Sequence, residues 1–262
     1  MAYVPRIAVR TDCPVAYDSP DHLVPWGTRR DNSKNPRFND KIYRLYAALG
    51  RPLRVLDLGC SGGGFIRDCI NDGCLAVGIE GSDYSKRMAR AEWALLADRF
   101  LFTADITRPF SVVDSDSGET LQFDVVTSWE VLEHLPADRL PTLVENIRRH
   151  LAPGGIFVGS IACDSDIVNG VELHQTMEEK PWWKAMFAGN GLYEVPGTLE
   201  YFSGQYIRGP RQEGGGSFNM TLSADQSPGL SMPARTKKDR ILDSWYFSRP
   251  HRILRQLITF QR

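Results

Sequence analysis

The sequence has little of three features that would point to particular classes of protein. No stretch reaches the roughly 18 apolar residues needed to cross a bilayer, so we predict no membrane span. Lys and Arg total 31 against 32 Asp and Glu, which gives no basic surface for a nucleic-acid partner. The five cysteines include no Cys-x-x-Cys pair, so neither a disulfide framework nor a zinc motif is predicted. With an N-terminus that lacks a signal-peptide pattern, these absences predict a cytoplasmic protein with free thiols.

From residue 53 onward, strand-like and helix-like patterns alternate along the chain. The predicted strands cover residues 53–58, 75–79, 100–103, 123–128 and 156–161. Helices are predicted between them over residues 65–70, 83–98 and 137–151. Residues 111–120 are polar and predict an exposed loop. This order implies βαβ units and therefore an α/β fold with a mainly parallel sheet and helices on both faces.

The first strand runs into a glycine-rich turn, Gly59-Cys60-Ser61-Gly62-Gly63. In an open parallel sheet, ligands bind beyond the carboxyl ends of the strands, and glycines let the backbone approach them. Three carboxylates lie at or just after the ends of strands at this edge. Asp57 can accept a donor from an amino-acid moiety, Glu80 can accept both hydroxyls of a ribose, and Asp105 can accept an exocyclic adenine amine. A dinucleotide-binding fingerprint would require glycine at position 61, where Ser61 stands.

These motifs resemble, in order over about residues 50–165, those of class I S-adenosylmethionine-dependent methyltransferases. Asp57-x-Gly59-Cys60-x-Gly62-Gly63 is similar to their first motif, Glu80 to the second and Ala104-Asp105-Ile106 to the third. The resemblance implies a Rossmann-like seven-stranded sheet with an antiparallel last strand, and S-adenosylmethionine as cofactor. The cofactor-binding residues that it implies are Asp57, Gly59, Cys60, Ser61, Gly62, Gly63, Glu80, Gly81, Ser82, Asp105, Ile106, Trp129 and Glu130. Ser61 departs from the family, which more often has glycine there, and predicts a slightly tighter turn.

The resemblance divides the chain into three parts. Residues 1–50 form an N-terminal arm with a helix over 39–49, and residues 21–33 are expected to close over the cofactor and the acceptor. Residues 51–225 form the methyltransferase domain, with an insertion at about 197–216 that adds Tyr206 and Arg208 to the pocket. Residues 226–262 form a helical extension, whose apolar stripe is Ile253, Leu254, Leu257 and Ile258.

The segment after the fourth strand, Trp129-Glu130-Val131-Leu132-Glu133-His134, carries the candidate chemistry. If it is helical, Glu130, Glu133 and His134 share one face. The segment resembles that of the ubiquinone-biosynthesis O-methyltransferases, in which Trp129 and Glu130 would line the methionine pocket and Glu133 would orient His134. It also resembles small-RNA 2′-O-methyltransferases, in which such groups and a distant histidine bind a divalent metal such as Mg²⁺. His174 would then be the further ligand.

His174 lies in a loop after the fifth strand, where a histidine can act as a general base near neutral pH. The predicted catalytic residues are therefore His134, His174 and Glu133. The reaction is expected to be methyl transfer to a hydroxyl of a sugar or glycan, because the arm, this loop and the Trp182-Trp183 pair together look similar to methyltransferases found with polysaccharide-assembly enzymes. The alternatives are O-methylation of a small aromatic or quinone-like metabolite, and a non-catalytic binding or scaffold protein. The oligomeric state is left open.

Overall fold

The computed structural model describes residues 5–211 and 216–246, and a seven-stranded sheet forms its centre. In chain order the described strands are β1 (Ile7–Thr11), β2 (Arg54–Leu58), β3 (Leu75–Glu80), β4 (Leu101–Thr103), β5 (Phe110–Asp114), β6 (Phe123–Trp129), β7 (Leu151–Ala162), β8 (Ile167–Val168), β9 (Val171–Glu172), β10 (Tyr193–Glu194) and β11 (Ser217–Ser223). The central sheet has the order β10-β11-β7-β6-β2-β3-β4. Its strand β11 is antiparallel to both neighbours, and the other six run in one direction. The predicted Rossmann-like α/β class is confirmed.

The helices that the structure describes are α1 (Pro20–Leu23), α2 (Trp26–Arg30), α3 (Pro36–Leu45), α4 (Gly64–Asn71), α5 (Tyr84–Arg87), α6 (Trp93–Leu96), α7 (Leu140–His150), α8 (Lys180–Gly189), α9 (Thr198–Phe202) and α10 (Lys237–Tyr246). Short 3₁₀ turns cover Ala47–Leu49, Leu132–His134 and Ala137–Arg139. Within the described ranges, no helix is both long enough and apolar enough to cross a membrane.

The core forms because the central strands and the facing helices are apolar where they meet. Every residue of β6 is buried, as expected for a strand with neighbours on both edges and helices over both faces. On α7, the residues Leu140, Leu143, Val144 and Ile147 recur at helical spacing and are fully buried. This packing fixes the carboxyl ends of β2, β3 and β6 at one edge of the sheet.

The single helix predicted over residues 83–98 is wrong. The chain forms the short helices α5 and α6, separated by a stretch in which Ala89 and Ala91 have φ of 45° and 49°. The tertiary contacts of this stretch outweigh the helical pattern. The indole of Trp93 donates to the Ser61 carbonyl at 2.7 Å, and the amide of Glu92 donates to the Gly62 carbonyl at 3.1 Å. The segment therefore supports the glycine-rich turn from outside.

The exposed loop predicted over residues 111–120 is wrong in its first half. Residues 110–114 form β5, which pairs antiparallel with β1, a strand of the N-terminal arm. Val112 and Val113 are buried, because the strand is covered by the N-terminal arm and by α7. The amide of Val112 donates to Nε2 of His150 at 2.9 Å, and burial lowers the pKa of that histidine to about 4. His150 is thus a neutral structural residue.

The remaining differences lie at the ends of predicted elements. The helix predicted over 39–49 begins earlier, as α3, because Pro36 occupies its first turn and the Asn35 side chain accepts from the Arg37 amide at 3.0 Å. The insertion at 197–216 includes the helix α9, and Tyr206 packs in the core. The helical extension is described only as far as α10. The apolar stripe over residues 253–258 lies outside the described residues.

The helix α10 is held against α3 by buried ion pairs. Asp243 on α10 lies 2.9 Å from the Arg37 guanidinium and 3.0 Å from the Lys41 ammonium, which has no exposed surface. We expect Asp243→Ala to lower the free energy of unfolding by about 3 kcal/mol, because removing one partner of a buried pair leaves the other charge uncompensated. Urea denaturation measures the loss. The control Glu145→Ala removes an exposed ion pair with Arg149 and should cost less than about 1 kcal/mol. Equal losses for the two variants would contradict this account.

Candidate active site

A cavity of about 860 Å³ lies at the carboxyl ends of β2, β3 and β6. It is lined by the N-terminal arm, by the segments at the ends of β2, β3, β4, β6 and β7, and by Arg208. Its position is the one at which open parallel sheets bind ligands. Of the predicted site residues, those that line it are Gly59, Ser61, Glu80, Gly81, Ser82, Asp105, Ile106, Trp129, Glu130, Glu133, His134 and His174.

The glycine-rich turn forms one wall of the cavity. Gly59 has φ of 79°, and a side chain there would collide with Val131. Ser61 also has positive φ, at 46°. Its amide donates to Oε2 of Glu80 at 2.7 Å, and its hydroxyl donates to the Asp31 carbonyl at 3.0 Å. The serine, in place of the glycine more usual in the resembled family, therefore connects the arm to the turn. The sequence predicted only a tighter turn and not this hydrogen bond.

The other predicted cofactor residues of the turn lie behind this wall. The Asp57 carboxylate is buried and accepts from the Thr127 hydroxyl at 2.7 Å, and burial raises its pKa to about 8. Cys60 is buried and packs toward Gly78 of β3. Gly62 faces Asn32 of the arm, and Gly63 faces the side chain of Leu101. These four residues shape and support the turn, and the cavity reaches the turn through Gly59 and Ser61.

Two acidic residues stand where an adenosine would be held. Glu80 ends β3, and its carboxylate accepts from the amides of Ser61 and Ser82 at 2.7 and 3.2 Å. Burial raises the pKa of Glu80 to about 7. Asp105, after β4, is also buried and accepts from the amide and hydroxyl of Thr107 at 2.9 and 2.6 Å. Both side chains line the cavity, and the hydrogen bonds just described fix their positions.

The shared helical face predicted for Glu130, Glu133 and His134 does not form. Glu130 has φ of 52°, which turns it away from the 3₁₀ turn at Leu132–His134. Its carboxylate instead accepts from Nε and Nη2 of Arg208 at 2.7 and 2.6 Å. Arg208 also lies 3.5 Å from Asp31 of the arm, so this pair closes one side of the cavity. Beside it, the buried indole nitrogen of Trp129 has no hydrogen-bond partner.

Glu133, His134 and His174 converge at the other end of the cavity. Each offers one ligand atom, and these atoms lie within 4.8 Å of one another. Glu133 is fully buried, and its Oε1 accepts from the Ala162 amide at 3.0 Å, whereas Oε2 has no partner. Burial raises the pKa of Glu133 to about 7. The arrangement leaves one buried carboxylate oxygen beside two imidazoles.

The two imidazoles are held by their Nδ1 atoms. Nδ1 of His134 lies 2.9 Å from Oδ2 of Asp21, an ion-pair contact that does not meet hydrogen-bond geometry, and Nδ1 of His174 contacts the carbonyl of Asp164. The rings meet edge to face, with centroids 4.6 Å apart. Burial lowers the pKa of His134, but the Asp21 carboxylate outweighs burial, so the pKa is raised overall. In each neutral ring, Nε2 is then the nitrogen left for a ligand or a proton.

The sequence analysis missed the partners that hold these groups. Asp21 and Asp31 come from the arm, and Asp164 follows β7. Asp21 and Asp31 lie in the segment 21–33 that was expected to cover the site. No sequence pattern, however, pairs Asp21 with His134 or Asp31 with Ser61. Asp164 acts through its backbone carbonyl, which leaves no trace in residue type.

The cavity fits a cationic nucleoside cofactor and also a divalent metal. The close approach at Gly59, the unpartnered Trp129 indole, and the carboxylates of Glu80 and Asp105 suit an adenosyl group with a polar tail. The unpartnered Oε2 of Glu133, with two imidazoles beside it, suits a divalent cation.

Together the fold and the cavity define a class I S-adenosylmethionine-dependent methyltransferase. A family model described as a methyltransferase domain matches residues 29–209, which is more than half of the chain. The chain belongs to that family.

Curated relatives match a shorter stretch. The ubiquinone biosynthesis O-methyltransferase of Mesorhizobium japonicum is 34% identical over 113 residues, which cover 42% of this chain and 41% of that protein. The protein of the same name from Pasteurella multocida is 29% identical over 107 residues, covering 39% of this chain and 43% of that protein. The matched stretch thus spans about two fifths of the length of these relatives. A solved methyltransferase from Clostridium acetobutylicum has a TM-score of 0.51 at 12% identity, covering 77% of this chain and 94% of that one, and supports the fold alone.

The raised pKa of Glu80 predicts a pH dependence of cofactor binding. Ribose hydroxyls donate best to the ionised carboxylate, so binding favours loss of the Glu80 proton. As the pH falls below about 7, we expect the Kd for S-adenosylmethionine to rise by up to about tenfold per unit, and above that pH to level off. Calorimetry between pH 5.5 and 8.5 measures this, and Glu80→Gln should remove that slope. If the variant shows a pH dependence of the same steepness, the dependence belongs to a titratable group other than Glu80.

Proposed function

We propose that the protein transfers the methyl group of S-adenosylmethionine to a hydroxyl oxygen of a small polar molecule, with a sugar hydroxyl as the leading acceptor. One observation carries the proposal: Glu80 and Asp105 share a single cavity with His134 and His174. A nucleoside at the two carboxylates and an acceptor at the two histidines would therefore meet inside it. S-adenosylmethionine supplies an electrophilic methyl group on a sulfonium when it is bound.

Each residue has a distinct task in this proposal. Glu80 and Asp105 hold the nucleoside, and Glu130, fixed by Arg208, places a negative charge beside the methionine end. Nε2 of His134 or of His174 takes the proton of the acceptor hydroxyl as its oxygen becomes the nucleophile. The buried carboxylate of Glu133 stabilises the imidazolium that results. The arm covers the cavity and excludes water from the reacting oxygen.

The polar lining favours a sugar over a flat apolar ring. At the histidine end the cavity is lined by Asp21, Glu133, Asp164 and Asp166. The guanidinium of Arg139 nearby is paired with Asp18 at 2.9 Å. An apolar acceptor would strip water from these carboxylates without replacing its hydrogen bonds, whereas hydroxyl groups can donate to them. Among the described residues, Trp26 and Trp129 are the large aromatic rings at the cavity wall.

A phenol is the second candidate acceptor. The curated relatives are named for ubiquinone biosynthesis, and the stretch that they match is 34% and 29% identical to this chain. That likeness favours a small-molecule acceptor, and a phenolic hydroxyl loses its proton more readily than a sugar hydroxyl does. A panel of methyl glycosides and catechols therefore separates the two candidates.

A divalent cation is the second candidate chemistry for the histidine end. Glu133, His134 and His174 would hold it, and the unpartnered Oε2 of Glu133 is the observation that favours it. A cation supplies charge that lowers the pKa of a bound hydroxyl. Titration of the protein with Mn²⁺, followed by paramagnetic resonance, tests this directly. Tight binding that Glu133→Gln abolishes supports the cation, and no binding with full activity in EDTA rules it out.

The proposed function is tested by incubating the protein with S-adenosylmethionine and the panel. The readouts are S-adenosylhomocysteine formation and a methylated product seen by mass spectrometry. Turnover of a methyl glycoside supports the leading acceptor, and turnover of catechol alone supports the second. Cofactor binding without turnover on either class would overturn the proposed reaction and favour a non-catalytic binding or scaffold protein.

A further inference from the structure

The N-terminal arm carries an acidic side chain into the active site. Asp21 lies in α1, and its Oδ2 is 2.9 Å from Nδ1 of His134. The side chains are 26% and 14% exposed, so the pair is largely shielded from water. Asp21 comes from a part of the chain more than 100 residues before its partner, which makes the contact a property of the fold.

The arm is fixed so that this contact has a defined place. The hydroxyl of Ser19 caps α1 by accepting from the Asp21 amide at 3.3 Å. The amide of Ala16 donates to the carbonyl of Gly81 at 2.9 Å, next to the residues that hold the nucleoside. His22, the next residue after Asp21, has its Nδ1 3.4 Å from the Ser82 hydroxyl. Neighbouring arm residues therefore contact the cofactor end and the histidine end of the cavity at once.

The contact decides which nitrogen of His134 is available. A carboxylate 2.9 Å from Nδ1 favours the proton on that nitrogen, and the neutral ring then has its lone pair on Nε2. His174 reaches the same state through the Asp164 carbonyl. A carboxylate partner of this kind fixes the tautomer and orientation of an imidazole, whether the other nitrogen accepts a proton or binds a metal.

We propose that Asp21 is the positioning residue of His134, holding Nδ1–H so that Nε2 faces the acceptor, and that it does so when the arm is docked on the cofactor edge. This proposal rests on the proposed function for the role of Nε2, but the tautomer that it requires is a property of the protein alone. The arm therefore does two things in this proposal: it covers the cavity, and it supplies Asp21 to the site.

Nitrogen NMR of protein labelled with ¹⁵N-histidine tests the proposal, at alkaline pH where the ring is neutral and with His134→Gln to assign the signals. We expect wild type to carry the His134 proton on Nδ1. Asp21→Ala should populate the Nε2–H form, and Asp21→Glu should restore the wild-type form. Asp12→Asn is the matched control, because it changes an exposed carboxylate of the arm that does not line the cavity. An unchanged tautomer in Asp21→Ala would overturn the proposal.

Turnover of the panel member, methyl glycoside or catechol, that wild type methylates gives the second readout. In Asp21→Ala we expect kcat to fall about 10- to 100-fold, the range for partners that orient a functional imidazole. The KM for S-adenosylmethionine should change by less than about threefold, and Asp21→Glu should recover part of the rate. Equal losses in Asp21→Ala and Asp12→Asn would mean that the arm only covers the site. If neither probe is methylated, the proposed function fails while the NMR result still decides the role of Asp21.

Discussion

Glu80→Ala should weaken S-adenosylmethionine binding by roughly 100-fold. The Glu80 carboxylate lines the cavity at the end of β3 and is the group placed to accept two ribose hydroxyls. Hydrogen bonds to a charged group contribute about 1.5–3 kcal/mol each, so losing a pair of them costs about 3 kcal/mol or more. The substitution also leaves the amides of Ser61 and Ser82 without their acceptor, which loosens the turn itself. Calorimetric titration of variant and wild type measures the change in Kd.

The control for this variant is Glu145→Ala on α7, whose side chain is 68% exposed and whose partner is Arg149. It should bind S-adenosylmethionine as wild type does. A Kd for a folded Glu80→Ala within threefold of wild type would remove Glu80 from the nucleoside site. Asp105 would then be the acidic residue left to hold the nucleoside.

Replacement of either cavity histidine by glutamine should lower kcat by about 10²- to 10⁴-fold, the contribution typical of a positioned general base. His134 and His174 lie with ring centroids 4.6 Å apart at one end of the cavity, so both reach the acceptor region. S-adenosylmethionine binding should change little, because Glu80 and Asp105 are the residues proposed to hold the nucleoside. Single-turnover kinetics with the acceptor identified in the panel measure the chemical step.

The double variant shows whether the two histidines act as a unit. Groups that serve one step give strongly non-additive losses, so His134→Gln with His174→Gln should be little worse than the more damaging single variant. Losses that multiply would assign the histidines to separate tasks. Retention of more than a tenth of the wild-type rate in both single variants would contradict their role in proton transfer. Circular dichroism of each variant controls for folding, because both rings are largely buried.

The sheet could be predicted because its signals are local. Leu56 and Leu58 alternate with residues of the opposite face, and Phe123, Val125 and Val126 cluster as β-forming apolar residues, so each strand shows in its own sequence. The elements that were missed depend on distant partners. β5 is a strand because β1 pairs with it across about 100 residues, and the helix over 83–98 breaks because Trp93 reaches back to Ser61. No local pattern contains those contacts.

The candidate site divides in the same way. Glu80 and Asp105 follow strands of a parallel sheet, so their position at one edge follows from the fold. His174 lies next to His134 because of the path that the loop after β7 takes, which the sequence does not show. The Glu133 carbonyl holds this loop by accepting from the amides of Gln175 and Thr176 at 2.7 and 2.9 Å. The predicted helical face failed because Glu130 adopts positive φ and pairs with Arg208. Such side-chain pairing over 78 residues is set by tertiary structure.

The central claim is that one cavity holds the cofactor at Glu80 and Asp105 and directs its sulfur toward His134 and His174. A crystal structure of the protein with S-adenosylhomocysteine tests it most directly. The account predicts the ribose hydroxyls on the Glu80 carboxylate, the adenine beside Asp105 and the sulfur on the side of the cavity that faces the two histidines. A cofactor bound elsewhere, or with its sulfur directed away from the histidines, would contradict it.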